Sequence, residues 1–225
     1  MKYVVELMAL QHIPAVAAIE RESFPTSWPV SAYKREIERN QLAYYVVAKR
    51  SSDAGEPRRE RRFPIAGEEE TEEGKGILAR LSRLIKGDAG GYAPEHAAEL
   101  EEIVGYAGMW MMVDDAHVTT IAVDPAYRGE GIGELLIVDL IDHACLLGAS
   151  TVTLECRVSN TVAQALYRKY TFRNAGIRKR YYSDDGEDAL IMTTDPLDSD
   201  VFQQVLEANR VRLTKRLGGN GVSEH

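Results

Sequence analysis

Val123-Asp124-Pro125-Ala126-Tyr127-Arg128-Gly129-Glu130-Gly131-Ile132-Gly133 is the stretch on which the fold turns. A β-branched run ends at Val123 and Pro125 breaks it. Glycines then open a segment whose Ile132, Leu135, Leu136, Leu140 and Ala144 fall at helical spacing, with Gly148 past its end. A helix N-terminus exposes unpaired backbone amides and carries a partial positive charge, so a strand–turn–helix of this make can hold a phosphate. Glycines allow a ligand close to the backbone, and Arg128 adds a cationic donor. Two phosphate motifs fail here. The dinucleotide fingerprint needs a third glycine where Glu134 stands, and the P-loop needs a terminal Gly-Lys-Ser/Thr. Arg-x-x-Gly-x-Gly across Arg128, Gly131 and Gly133 remains; taken alone, it fits a plain tight turn equally well.

Outward from this turn, strands and helices alternate. Ile103 to Val113 and His117 to Val123 read as strands joined at Asp114-Asp115, and Gly131 to Leu147 as a helix. Thr151 to Cys156 reads as a strand, Asn160 to Tyr170 as a helix, and Phe172 to Tyr182 and Ala189 to Thr194 as strands. On the N-terminal side, Val4, Val5, Leu7 and Met8 open a strand, and Ile13 to Ile19 has helical spacing. Phe24-Pro25-Thr26-Ser27-Trp28-Pro29 breaks that helix, and Ser31 to Asn40 is a second one with Ser31 as its N-cap. Leu42 to Ala48 is a strand, and Leu197 to Leu217 is helical before a polar tail. The pattern predicts an α/β fold built on a mixed sheet.

Between Ser51 and Gly76 half of the positions carry a charge, an Arg-rich half preceding a Glu-rich one. Such composition predicts a mobile loop. Ile77, Leu78, Leu81, Leu84 and Ile85 then form a helical stripe, and Pro94 to Glu102 a second short helix, so residues 51–102 read as an insertion: a decoration or a partner-binding arm. The 225 residues carry 27 Lys and Arg against 35 Asp and Glu, a formal charge of −8. That balance argues against non-specific nucleic-acid binding, and 44% hydrophobic content excludes a wholly disordered chain. Glu6 interrupts the opening apolar run, and no stretch reaches the roughly 20 apolar residues of a membrane helix, so a cytoplasmic protein without membrane partners is expected. Cys145 and Cys156 read as reduced thiols, and His12, His96, His117 and His143 lack ligand spacing; no metal is expected.

Ile121-Ala122-Val123-Asp124-Pro125, the Arg-x-x-Gly-x-Gly turn, Ala165-Leu166-Tyr167 and Phe172 together resemble the GNAT-family N-acetyltransferases. Leu154-Glu155-Cys156-Arg157-Val158-Ser159-Asn160, Arg180-Tyr181-Tyr182 and Glu187-Asp188-Ala189-Leu190-Ile191-Met192 are similar to segments of the RimI-type ribosomal-protein alanine acetyltransferases. The resemblance covers roughly residues 1–50 and 103–195. It implies the acyl-CoA N-acyltransferase fold, a central mixed, mostly antiparallel sheet with helices on both faces. It also implies one domain over 1–196, with 197–225 as an added helix and tail.

For the chemistry, the resemblance implies acetyl-CoA as co-substrate, lying where two central strands splay. The backbone around Ile121, Ala122 and Val123 would bind the pantetheine arm, an amide near Val123 would polarise the thioester carbonyl, and Asn160 would contact the arm. Amides of Arg128, Gly129, Glu130, Gly131, Ile132 and Gly133 would take the phosphates. The acceptor would be a protein N-terminal amine, with a ribosomal-protein alanine as the inherited choice, attacking directly without an acyl-enzyme. Such an amine, with a pKa of about 7.7 to 8.0, must lose a proton before it attacks, and the departing thiolate needs one. Glu155 matches the family's base and Tyr167 its acid. In a strand otherwise built of Val152 and Leu154, Glu155 is expected to be partly desolvated, which makes it a better proton acceptor. Phe24, Trp28, Tyr181 and Tyr182 flank the amine slot by the same resemblance, and as flat amphipathic rings they suit peptide contact. One departure stands out: where the family has Gly before Phe172, this chain has Thr171. Either the helix ends differently or a left-handed residue is tolerated there.

Overall fold

A computed structural model describes residues 3–50 and 102–218. The expected charged loop, the Ile77–Ile85 stripe, the Pro94–Glu102 helix but for its last residue, and the end of the tail lie outside the described residues. Residues 3–50 and 102–218 belong to one compact unit. Its seven strands are β1 (Tyr3–Leu7), β2 (Ala43–Arg50), β3 (Ile103–Met112), β4 (Asp115–Val123), β5 (Thr151–Arg157), β6 (Arg173–Arg178) and β7 (Ala189–Thr193). They run in the order β1-β2-β3-β4-β5-β7-β6. Every pairing is antiparallel except β4 with β5. The helices are α1 (Ile13–Ser23), α2 (Val30–Arg39), α3 (Ile132–Leu146), α4 (Thr161–Lys169) and α5 (Asp200–Arg216).

The sheet carries a core on each face. On one, Val46, Val118, Val152 and Leu154 meet α3 and the Phe202, Leu206 and Leu213 side of α5. Because α3 lies between the sheet and α5, Leu135 to Ile141 are buried nearly all round it, which is why that run is apolar but for Asp139, whose carboxylate accepts the Tyr44 hydroxyl at 3.0 Å. On the other face, Val16 and Ile19 of α1 and Tyr33 of α2 pack on Tyr45, Val47, Tyr106 and Ala122. β2 is therefore buried on both faces, matching its unbroken Tyr-Tyr-Val-Val-Ala run.

Several element ends differ from the sequence reading. Helix α2 starts at Val30 with Pro29 as its N-cap, so Ser31 lies inside it and makes no cap. Pro29, at φ −66, is preset for a helix entrance and has no N–H to leave unpaired. The β3–β4 turn is Val113-Asp114, because Asp115 already pairs with Met112 and Thr151. Val113 takes φ 58 to close it. Strand β6 stops at Arg178, short of Tyr182, where Arg180 turns left-handed at φ 53. Helix α5 begins at Asp200 under a Ser199 cap, since the Leu197 amide is held by the Ser150 carbonyl at 2.9 Å. Thr171 adopts φ 61, so the left-handed turn is kept with a β-branched residue in it, and its Oγ1 accepts the Asp195 amide at 3.3 Å.

Two irregularities shape the middle of the sheet. β4 and β5 pair only from Asp115–Thr151 to Val118–Leu154, and beyond that point they part. At the same level β4 bulges: Gly108 pairs with Thr120 and Met109 with Val118, leaving Thr119 unmatched. The bulge aims both hydroxyls toward α1 and α2, Thr119 at Tyr45 and Thr120 at Tyr106. Gly108 is required here, since a Cβ would stand 2.2 Å from the Tyr45 ring.

Candidate active site

Past the parting of the strands, the β5-facing edge of Thr119 to Val123 has no strand partner among the described residues, which opens it to a ligand. Ile121 and Val123 turn their main-chain groups toward this edge, and Ala122 between them turns its own toward Tyr106 of β3. At its end the Asp124 carboxylate accepts the Ala126 amide at 2.8 Å, and a single 3-10 turn, Pro125–Tyr127, leads into the glycines. Gly129 and Gly131 take φ 81 and 93, with Gly131 as the N-cap of α3. Leu135 N is the first amide bonded back, to Gly131 O at 2.9 Å. The amides of Ile132, Gly133 and Glu134 thus open outward at the positive end of a 15-residue helix. The Arg128 guanidinium has partners within the protein: its Nε bonds Val123 O at 3.2 Å and its Nη2 bonds Ser23 Oγ at 3.3 Å, tying the end of β4 to α1. Glu130 accepts the Tyr3 hydroxyl at 2.5 Å.

Glu155 is the first residue of β5 beyond the paired segment. Its neighbours Leu154 and Cys156 enter the α3 core, so its side chain points to the α1–α2 face, where it is 6% exposed. Two basic side chains neighbour it. His117 Nε2 lies 3.1 Å from Oε2 and Arg178 Nη2 lies 3.0 Å from Oε1. Sequence reasoning missed both partners; strand parity puts His117 on the Glu155 face, but only the β4–β5 register makes them neighbours. On the opposite face of β5, Tyr167 of α4 is buried beside Phe172, ring centroids 5.6 Å apart. Its hydroxyl makes no hydrogen bond to another described residue. Burial first, then Cys156 and Tyr182, holds that phenol well above its ordinary pKa. Burial also pushes the Cys156 thiol up to about 11. The gap thus has a paired carboxylate on one side and a protonated, unbonded phenol on the other.

The remaining residues of interest fall into three places. Asn160 caps α4, its Oδ1 accepting the Ala163 amide at 3.1 Å. Phe24 and Trp28 lie in the α1–α2 connection, whose Trp28 amide donates to buried Glu20 at 2.8 Å. From Glu20 a chain runs through the Tyr33 hydroxyl (2.6 Å), on to Tyr106 (3.2 Å) and to Thr120 (3.4 Å) on β4. That chain couples the connection to the bulge through residues far apart in sequence, which no local motif could have marked. Tyr181 and Tyr182 form an edge-to-face pair at 5.2 Å. Arg157 stacks 4.0 Å above Tyr182 and binds Asp184, Asp185 and Glu187 at 2.7 to 3.0 Å, stapling the β6–β7 connection to the strand that carries Glu155. Among the described residues no group of three or more His, Cys, Asp or Glu could hold a metal ion, and no helix is long and apolar enough to cross a membrane.

Comparison with known proteins shows the family. The acetyltransferase (GNAT) family model matches residues 56–172. A Bacillus subtilis protein, named provisionally as a ribosomal protein bS18-alanine N-acetyltransferase, is 32% identical over 191 residues, 85% of this chain and 94% of that one. The Escherichia coli ribosomal protein bS18-alanine N-acetyltransferase is 41% identical over 93 residues, 40% of this chain and 63% of its own. The crystal structure of the Escherichia coli ribosomal-protein-S18-alanine N-acetyltransferase shares the fold, with a TM-score of 0.58 at 23% identity over 88% of this chain and 95% of that one. The chain belongs to the GNAT family and is an N-acetyltransferase.

Proposed function

We propose that the protein transfers the acetyl group of acetyl-CoA to the α-amine of a protein N-terminus, with a ribosomal-protein alanine as acceptor. The observation that carries this reading is the parting of β4 from β5, with Glu155 on one face and Tyr167 on the other. The residues present fit the donor. The free edge of Ile121 to Val123 suits an amide-bearing pantetheine arm, and the outward amides of Ile132 to Glu134 suit a diphosphate. Acetyl-CoA supplies an activated thioester carbon.

Glu155, held by His117 and Arg178, accepts the ammonium proton directly or through one water. The freed amine adds to the thioester carbonyl, the C–S bond breaks, and Tyr167 gives its proton to the leaving thiolate. Main-chain amides of β4 stabilise the developing oxyanion. Trp28 and the Tyr181–Tyr182 pair line the approach of the peptide. The names of the relatives support a ribosomal alanine, and acetylation of a small amine or a lysine side chain is the competing acceptor class. Residues 51–102 are read as an insertion into a domain spanning 1–196, with 197–225 appended. The test is turnover with acetyl-CoA against a panel of N-terminal peptides, lysine peptides, polyamines and aminoglycosides. Preference for the free α-amine of an Ala-first peptide supports the reading, and preference for a polyamine overturns it. CoA release with none of them would point to a non-catalytic acyl-CoA-binding protein.

A further inference from the structure

Glu134 is the third residue of α3, so its carboxylate lies in the first turn of the helix whose amides are assigned to the donor's diphosphate. Left alone, it would oppose that charge. It is 5% exposed and held from three sides: Lys169 Nζ and, at 2.7 Å, the Tyr170 hydroxyl reach Oε1, while Arg216 Nη2 reaches Oε2 at 2.8 Å. Two cations on one carboxylate turn a locally negative helix end positive. Arg216 closes α5, an element beyond the 56–172 segment matched by the family model. Its guanidinium lies against the glycine turn, since a Cβ on Gly131 would come within 2.3 Å of Nη2 and 2.9 Å of Nε and Cζ. Only the bond to Glu134 engages it among the described residues, and its side chain is 49% exposed. Planar donors remain free at the rim of the turn.

We infer that Arg216 is a ligand of the donor's diphosphate, aimed by buried Glu134, so that α5 forms part of the acetyl-CoA site. The inference rests on the acetyl-CoA reading and adds a residue the glycine motif does not contain. A guanidinium held by a carboxylate on one edge and presenting its remaining N–H groups on another suits a two-phosphate anion.

The test is calorimetric titration of the full chain, wild type and the Arg216→Gln and Arg216→Lys variants, with CoA and with dephospho-CoA, which keeps the diphosphate but lacks the 3′-phosphate. Arg216→Gln should weaken both ligands by about tenfold or more, as expected for a lost charge-assisted bond. Arg216→Lys should recover part of that loss, and the difference should shrink in high salt. Unchanged affinity in Arg216→Gln overturns the inference. So does a loss confined to CoA, which would move the contact to the 3′-phosphate. A salt-independent loss accompanied by a lower Tm would make Arg216 merely structural. If wild type binds neither ligand, the donor reading itself fails, an outcome distinct from any of these.

Discussion

Replacing Glu155 by Gln keeps the volume and planarity of a side chain that is 6% exposed while removing its charge and its capacity to take a proton. The present carboxylate lies 3.1 Å from His117 Nε2 and 3.0 Å from Arg178 Nη2, in ion-pair contact with both. An amide can accept on only one end, so one of the two contacts becomes donor against donor. The Arg178 side chain is 54% exposed and can turn to water, which limits the damage. A structural cost of about 1 to 2 kcal/mol follows, or a fall in Tm of a few degrees for a domain of this size. That leaves the protein folded at assay temperature, given typical stabilities of about 5 to 15 kcal/mol. The chemical cost is larger. Loss of a positioned general base lowers turnover by about 10²-fold or more, equivalent to roughly 2.7 kcal/mol of barrier. The assay is CoA-thiol release with acetyl-CoA and an Ala-first peptide, run beside calorimetric acetyl-CoA affinity and thermal unfolding. Turnover should collapse while acetyl-CoA affinity changes little. Wild-type turnover in Glu155→Gln would remove this carboxylate from the mechanism.

Three further outcomes follow from the geometry. Arg157→Gln should release the β6–β7 connection, raising KM for the peptide severalfold with acetyl-CoA affinity unchanged; an unchanged KM would show that the staple does not position Tyr181 and Tyr182. Glu187 and Asp185 are held below the ordinary carboxylate range, first by the amides of Ser159 and Glu187 respectively and then by Arg157. A depressed folded-state pKa means that their contribution is present above the unfolded value and lost as pH falls through the folded one. The tyrosine ring NMR signals of the connection should therefore broaden or shift only below about pH 4, and a change centred near neutral pH would contradict this. Val113 is 95% exposed at φ 58, so Val113→Asn, a residue that tolerates left-handed backbone, should gain about 1 kcal/mol. That corresponds to roughly 2 to 4 °C in Tm, and a lower Tm would refute the strain assigned to this turn.

Much of the fold was legible because its strongest signals are local. Aromatic and β-branched content placed β2, local patterning placed α3 and β5, and the glycine turn marked the strand-to-helix junction at its true position. Element ends were read less well where a distant contact sets them. Asp115 is a strand residue because Thr151 faces it, and Leu197 is outside α5 because Ser150 holds its amide. The Thr171 departure could not be decided from sequence, since the pull of the Asp195 amide on its hydroxyl is visible only in three dimensions. The resemblance supplied Glu155 and Tyr167 as residues, and the structure then supplied their surroundings. His117, Arg178 and Arg157 entered the site through β-register and a connection that folds back over β5. Arg216 escaped notice for a simpler reason: 82 positions separate it from Glu134, and no spacing rule spans such a distance.

Amide hydrogen exchange of the full chain with and without acetyl-CoA tests the central claim most directly. The predicted result is protection gained at Thr119 to Val123 along the free edge of β4 and at Ile132 to Glu134 at the head of α3. Binding that leaves those two segments exchanging as before, or no binding at all, would contradict it.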